Sequence, residues 1–349
     1  MPETRPPSMA DVAALAGVSQ QTVSRVLNDY SKVRATTREK VLDAIAKLGY
    51  RPNLAARALA TSRTTVLGIL ASGSESFGPV STVYAIEKAA RNAGYATSIV
   101  SLPDFDPKAT ESSLSFLLDR GVDAIIVVAA MEGVTAALDQ ISPPCPVVVI
   151  GDRPDIPSDS AARYVFVDQE KGAQLAMEHL YSLGHRNIWH IKGPSGWFDA
   201  NARLRAYHDF MVSHELEPMV IDADSWAASR GFVAGIEFAA SAKQQEGPTA
   251  VFVANDPLAL GLLRALWEAG FRVPDDISVV GFDDIEPSEF LVPGLTTIKQ
   301  PFVQLGVDAV QAALDALIGK VGSNNPRVAF TELPELVVRS STTHPKGLS

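Results

Sequence analysis

The sequence predicts a chain of two unlike parts: an all-α helix-turn-helix headpiece, then an α/β domain of two doubly wound parallel-sheet lobes. Three observations predict this. The stretch Ala10 to Asn28 reads as two short helices around a tight turn, and at Val66 the pattern changes to β-branched runs alternating with helical segments. Charge divides at the same place: residues 1 to 63 hold ten basic and five acidic side chains, net +5, whereas the whole chain carries −10, leaving −15 on the remainder.

In the first helix Val12, Leu15 and Ala16 fall at helical spacing on one face. Gly17 can adopt the left-handed conformation that ends a helix, and Ser19 stands where an N-cap belongs. The second helix turns Val23, Val26 and Leu27 inward and Gln20, Gln21, Ser24, Arg25 and Asn28 outward. A third helix, with Thr37 at or just before its start, runs to about Leu48 and presents Val41, Ile45 and Leu48 to the other two.

The outward face has the chemistry of a recognition helix in a major groove. Gln pairs bidentately with adenine and Arg with guanine, so Gln20, Gln21 and Arg25 are the candidate base readers. Ser19, Thr22, Ser24 and Asn28 suit phosphates or capping, and Lys32 and Arg34 sit in a loop that can reach the backbone. A basic head on an acidic body implies that one end touches double-stranded DNA, in a salt-dependent way.

The residues Asp11-Val12-Ala13, Ala16-Gly17-Val18-Ser19, Thr22-Val23-Ser24-Arg25-Val26, Asn28, Thr37-Arg38-Glu39-Lys40-Val41, Leu48-Gly49-Tyr50 and Arg51-Pro52-Asn53 resemble the DNA-binding headpiece of the LacI family of bacterial transcription regulators. The resemblance adds Thr37 and Tyr50 to the DNA-contacting set. It also implies that Asn53 to Thr61, Ala-rich and too short to be a stable helix alone, is a hinge helix that folds when two subunits pair over the minor groove. There Leu59 would be the wedge, with Asn53, Ala56 and Arg57 near the backbone or groove floor. The other reading of that stretch is a plain linker.

Beyond Val66, buried parallel strands are expected at 66–70, 96–100, 124–128 and 147–150, and a second series at 164–167, 188–191, 220–222, 250–254 and 278–281, with helices between them. The domain boundaries that follow are 1–51 for the headpiece, 52–64 for the hinge, and 65–349 for effector binding and dimerisation. The resemblance implies that each lobe is discontinuous, with three crossovers: a first lobe of about 65–160 plus 296–320 and a second of about 161–292 plus 324–340, like a periplasmic binding protein.

Ligands of open α/β sheets collect beyond the carboxyl ends of strands. Those positions hold Asp152, Trp197, Trp226, Asn255 with Asp256, and Asp283 with Asp284, while Arg203 is expected to open a helix. Carboxylates, an amide and a guanidinium match a polyhydroxylated ligand, and indole rings cover its C–H faces, so a sugar is the expected effector. Ser225 to Ser229, Val253 to Asp256, Val279 to Asp284 and Leu295 to Gln300 resemble the effector-domain motifs of the same family. In its sugar-responsive members the positions matching Asp152, Arg203, Trp226, Asn255 and Asp283 contact effector, Phe302 lies near it, and Trp226 leans toward galactosides. Both Arg203 and Arg205 could be the effector arginine, and the resemblance favours Arg203, which Ala206-Tyr207 follows at the family's spacing. Asp256 could instead cap the helix beginning at Pro257, and Asp284 could cap or form a salt bridge.

Catalysis is not expected: the chain holds no P-loop, Gly-x-Gly-x-x-Gly, Gly-x-Ser-x-Gly or His-Glu-x-x-His motif, and its six histidines make no metal pattern. No cofactor is expected. The single cysteine, Cys145, forms no intramolecular disulfide, and no apolar run reaches membrane length, so a cytoplasmic protein is expected. The tail from Ser340 lacks apolar heptads, which favours a homodimer over a tetramer. The expected function is that of a repressor of sugar-utilisation genes, released from a palindromic operator by a sugar. Its rivals are a transport-type sugar receptor without a DNA role and a co-repressor-dependent regulator.

Overall fold

The computed structural model describes residues 7–27, 33–51, 58, 63–72, 77–102, 107–128, 131–141, 143–151, 156, 160–319, 327–328 and 332–346. The chain divides into two compact units, Met1–Thr64 and Thr65–Ser349.

The first unit contains α1 (Met9–Ala16), α2 (Gln20–Leu27) and α3 (Ala35–Leu48). Ser8 and Asp11 form a capping box at the start of α1, and Gly17 ends it at φ 66°. Ser19 Oγ accepts from Thr22 N at 3.2 Å, so the expected N-cap of α2 is present. Val12, Val23 and Val41 are fully buried, with Ala13, Val26, Ala44 and Tyr50 around them. Two details differ from the sequence reading. Leu15 is 53% exposed, because α1 turns Val12 and Ala13, not Val12 and Leu15, toward its neighbours. Thr37 lies inside the first turn of α3, and Arg34 occupies the N-cap position without a side-chain cap.

The second unit runs β1 (Val66–Ser72), α4 (Phe77–Asn92), β2 (Ala96–Leu102), α5 (Pro107–Leu118), β3 (Ala124–Val128), α6 (Glu132–Ile141), β4 (Val147–Ile150) and β5 (Arg163–Val165). There follow α7 (Gln169–Ser182), β6 (Ile188–Lys192), α8 (Phe198–Ser213), β7 (Met219–Asp222), α9 (Ala228–Ala242), β8 (Ala250–Val253), α10 (Asp256–Ala269) and β9 (Ser278–Val280). The last elements are α11 (Pro287–Phe290), β10 (Thr297–Lys299), α12 (Phe302–Leu317), β11 (Arg327–Val328) and β12 (Glu335–Val337).

One sheet has the order β11-β5-β4-β3-β1-β2 and another β7-β6-β8-β9, every pair parallel. Alternate residues of the first sheet serve opposite faces. Leu67, Ile69, Ile126 and Val148 pack against α4 and α12, whereas Leu70, Ile125, Val127 and Val149 pack against α5 and α6. The second sheet is likewise covered by α9 and α10 on one side and α7 and α8 on the other. Two doubly wound lobes result, as the apolar runs predict.

The short strands join lobes that their own residues do not announce. Arg163–Val165 pairs with β4, so it completes the first lobe's sheet where the sequence places it in the second. Thr297–Lys299 pairs with β12, and the adjoining segment bridges Val280 to Thr296 and Asp283 to Lys299, so it belongs to the second lobe and not the first. Arg327–Val328 pairs with β5 in the first lobe, not the second. In strands of two or three residues the hydrogen-bond partner decides membership, and that partner is distant in sequence.

Helices α9 and α10 approach through their backbones. A Cβ on Gly261 would lie 1.9 Å from Ala228 O, and one on Gly231 would lie 2.1 Å from Leu258 O. Gly261→Ala must therefore push the helices apart, and it is expected to cost about 3 kcal/mol, at the upper end for overpacked cores. A lowered urea midpoint relative to the parent chain checks this.

The C-terminal segment is stitched to the second lobe by Ser341, whose Oγ donates to Val279 O at 2.6 Å and accepts from Thr296 N at 2.8 Å. Beside it His185 meets Thr249 Oγ1 through Nδ1, and Ser278 Oγ and Thr343 O through Nε2. Burial holds His185 neutral, with its pKa pushed down to about 4. The unfolded chain therefore takes up this proton first. The stability contribution is complete above the unfolded value of about 6.5 and is lost as pH falls toward 4. From this histidine alone, the unfolding free energy is expected to drop by about 2 kcal/mol between pH 7 and pH 5, and His185→Asn should flatten that dependence.

Candidate functional site

Two surfaces carry the residues singled out by sequence. On the headpiece, Gln20, Gln21, Arg25 and Arg34 are exposed, and Thr22, Ser24 and Thr37 are partly buried. Ser19 spends its hydroxyl on the cap. Tyr50, at 7% exposure, belongs to the headpiece core with Val12, Val23 and Val41. Asn28, Lys32, Asn53, Ala56, Arg57 and Leu59 lie outside the described residues, as does Asp152.

In the second unit, a cavity of about 710 Å³, solvent at its mouth included, opens at the carboxyl ends of the strands. Trp197, Arg203, Trp226, Asn255, Asp283 and Phe302 all line it. The first-lobe wall comes from Val128, Ile150 and Gly151 at strand ends and from Gly78, Pro79 and Thr82 on α4.

Arg203 does not open its helix but lies in the second turn of α8, 3% exposed. Its guanidinium is held from several sides. Nε donates to Gln169 Oε1 at 2.9 Å, Nη1 donates to Ala254 O, and Phe282 lies flat beneath it at 3.8 Å. Arg205, the other candidate, is partly exposed and pairs with Glu170 at 3.1 Å, so it is spent on the surface.

Asp283 follows β9 with φ 109°, a left-handed backbone that short polar side chains tolerate better than most. Its carboxylate accepts from Gln300 Nε2 at 2.6 Å and stands 3.8 Å from Arg203 Nη2. Burial outweighs the attraction of that arginine and pushes its pKa up to about 7. Asp256 has another task from the one read in sequence. Asn255 is the N-cap of α10, its Oδ1 accepting from Leu258 N at 2.9 Å. Asp256 reaches back to Ile285 N, Ser288 Oγ and Thr297 Oγ1, and so fixes the loop that carries Asp283. Burial raises the Asp256 pKa to about 6. Asp284 forms the expected salt bridge, with Arg339 at 2.7 Å.

The aromatic wall is a corner. Trp197 and Trp226 have ring centroids 5.9 Å apart at 89°. Asn255 Nδ2 donates to Trp226 O, and a Cβ on Gly193 would lie 2.4 Å from the Trp226 ring, so only glycine leaves the indole room. Phe302 meets Phe77 edge-on at 5.8 Å.

Sequence reasoning missed Gln169, Asp199 and Gln300, all of which line the cavity. Gln300 closes a motif already noted, and its terminal position was the available signal. Gln169 and Asp199 gave none. Among the described residues no group of His, Cys, Asp and Glu could hold a metal ion, and no helix is long and apolar enough to cross a membrane.

Comparison with known proteins bears on both surfaces. Residues 8–53 match the family model of bacterial regulatory proteins, lacI family, and residues 177–342 match that of a periplasmic binding protein-like domain. The chain is 34% identical to the lactose operon repressor of Escherichia coli K12 over 342 residues, 97% of this chain and 91% of that protein. It is 33% identical to the transcriptional repressor PurR of Haemophilus influenzae strain PittEE over 339 residues, 96% of this chain and 98% of that one. Among solved structures, the lac repressor dimer bound to operator and the anti-inducer ONPF superposes with a TM-score of 0.83 at 33% identity, covering 97% of this chain and 100% of that one. The regulator CelR in complex with cellobiose superposes with a TM-score of 0.69 at 27% identity, covering 96% and 99%. With a matched headpiece, a two-lobed α/β domain and relatives alike along their whole length, the chain belongs to the lacI family of bacterial regulatory proteins and is a DNA-binding transcriptional repressor, not an enzyme.

Proposed function

We propose that this repressor binds a palindromic operator as a homodimer in the cytoplasm and is released from it by a neutral saccharide held between the two lobes, a galactoside being the first candidate. The observation that carries the reading is the crevice itself. It sets Arg203, Asp283 and Asn255, which exchange hydrogen bonds with hydroxyls, against the perpendicular indoles of Trp197 and Trp226. The two indoles cover the C–H faces of a sugar ring while the polar side chains take its hydroxyls. The CelR complex with cellobiose is consistent with a saccharide in a crevice of this kind.

Pairing of two chains is supported by apolar side chains left exposed on one monomer. Val80 and Tyr84 stand out on α4, Ile99 on the edge strand β2, Val233 and Ile236 on α9, and Leu260 and Trp267 on α10. An uncovered edge strand beside such residues invites a partner. In the dimer, two α2 helices read half-sites related by two-fold symmetry through Gln20, Gln21 and Arg25, with Asn53, Ala56, Arg57 and Leu59 as hinge contacts in the minor groove. The segments 1–51, 52–64 and 65–349 then serve as reader, hinge and clamp. The saccharide shifts the balance toward a conformer that binds DNA less well, by its preference for that conformer.

Titration calorimetry of the full-length protein against neutral mono- and disaccharides, galactosides first, and against nucleobases tests the ligand class. A saccharide alone should give saturable heat. Binding of a nucleobase with silence from every saccharide overturns the proposal.

A further inference from the structure

The crevice contains a closed ring of four side chains, two of which, Gln169 and Gln300, were not expected there. Arg203 Nε donates to Gln169 Oε1 at 2.9 Å, Gln169 Nε2 donates to Gln300 Oε1 at 2.9 Å, and Gln300 Nε2 donates to Asp283 Oδ1 at 2.6 Å. Arg203 Nη2 closes the ring, 3.8 Å from the same Oδ1. Exposure is 2% for Gln169, 3% for Arg203, and 7% for both Gln300 and Asp283, so water has little access to a misplaced amide.

The ends of this chain of bonds dictate its direction. A guanidinium only donates, which forces Gln169 to present Oε1 to Arg203 and Nε2 to Gln300. Gln300 must then offer its oxygen to Gln169 and its N–H to Asp283. The ring also joins two points where the chain changes lobes. Gln169 opens α7 just after β5 of the first lobe, and Gln300 lies between β10 of the second lobe and α12 of the first.

We propose that Gln169 is a positioning residue for Asp283: it fixes the orientation of the Gln300 amide, which in turn holds the carboxylate in its accepting form with one oxygen left for a ligand hydroxyl. The inference rests on reading this crevice as a saccharide site, which it deepens. Other groups that bear on the Asp283 carboxyl are Arg203 and Asp199 from α8 and Asp256 from α10, while the adjacent Asp284 is held by Arg339. Arg203 and the Gln300 amide favour the ionised form, whereas burial and the two aspartates oppose it. Without Gln169, Gln300 is free to turn its oxygen toward Asp283, which favours the protonated carboxyl.

The test follows the carboxyl carbon of Asp283 by NMR in the full-length protein, its resonance identified by its loss in Asp283→Asn. Gln169→Met should raise the titration midpoint by roughly one pH unit, Gln300→Met should raise it as far, and the double variant no further than either. An unchanged midpoint in Gln169→Met, or shifts that add in the double variant, overturns the inference. Where Gln169→Met does not fold, Gln300→Met cuts the next link, and an unchanged midpoint there is equally fatal. Lactose titrated into wild type and Gln169→Met separates the two readings. Silence of the wild type toward lactose and every other saccharide sinks the ligand class while the midpoint shift still stands. Equal lactose affinity in the two proteins at every pH sinks the role of Gln169.

Discussion

Asp283→Ala should weaken saccharide binding roughly ten- to a hundredfold while leaving operator affinity in its absence unchanged. The carboxylate is the buried acceptor of the crevice, bonded to Gln300 at 2.6 Å and facing Arg203 at 3.8 Å. A hydrogen bond from a ligand hydroxyl to such a charged group is worth about 1.5–3 kcal/mol, a loss of roughly ten- to a hundredfold in affinity. Removal of the side chain also leaves Arg203 buried without its anion, which should lower stability by about 3 kcal/mol. Asp283→Asn keeps the shape, and it separates the two effects: calorimetry should still find weakened saccharide binding, while the urea midpoint falls less.

The same carboxyl gives the response a pH dependence of defined sign. With its pKa at about 7, Asp283 is mostly protonated at pH 6 and mostly ionised at pH 8. A ligand hydroxyl that donates to it must displace the proton at the lower pH. Affinity is therefore expected to rise about tenfold from pH 6 to pH 8 and to stay flat over that range in Asp283→Asn.

Arg25→Ala should do the reverse of Asp283→Ala. Arg25 is exposed on the last turn of α2, on the face that also carries Gln20 and Gln21. A bidentate contact to guanine is worth about 1–3 kcal/mol of discrimination, so the variant should lose roughly five- to a hundredfold in preference for its selected site over scrambled duplex. Saccharide affinity should not change. Sites chosen from random DNA supply the probe, and gel retardation at fixed salt reads the preference. Equal loss of both activities in either variant would contradict the division of labour between headpiece and crevice.

Local physics explains what was legible in the sequence. Gly17 and Ser19 mark the turn because the residue that must be left-handed and the one that must cap stand only two positions apart. The long apolar runs of β1, β3 and β4 announced buried parallel strands without help from the rest of the chain. Candidate ligand residues could be read from strand ends, since Trp226, Asn255 and Asp283 all follow strands whose carboxyl ends face the crevice. What escaped depends on partners far away. Gln169 acquires its place from Gln300, 131 positions on, and from Arg203, 34 positions on, and an isolated glutamine after Asp168 carries no trace of either. Tyr50 entered the DNA-contacting set through the resemblance alone, and its burial was not legible beforehand because it depends on the left-handed turn at Gly49, which folds it back into the core. The lobe assignments of β5, β10 and β11 failed for the same reason: three residues or fewer carry too little pattern to name their partner.

The most direct measurement is operator affinity of the full-length protein with and without saturating saccharide, paired with saccharide affinity with and without bound operator. Linkage requires both to fall by the same factor, expected to be about tenfold or more. Operator affinity that stays constant while the crevice is demonstrably full would contradict the coupling of clamp to reader.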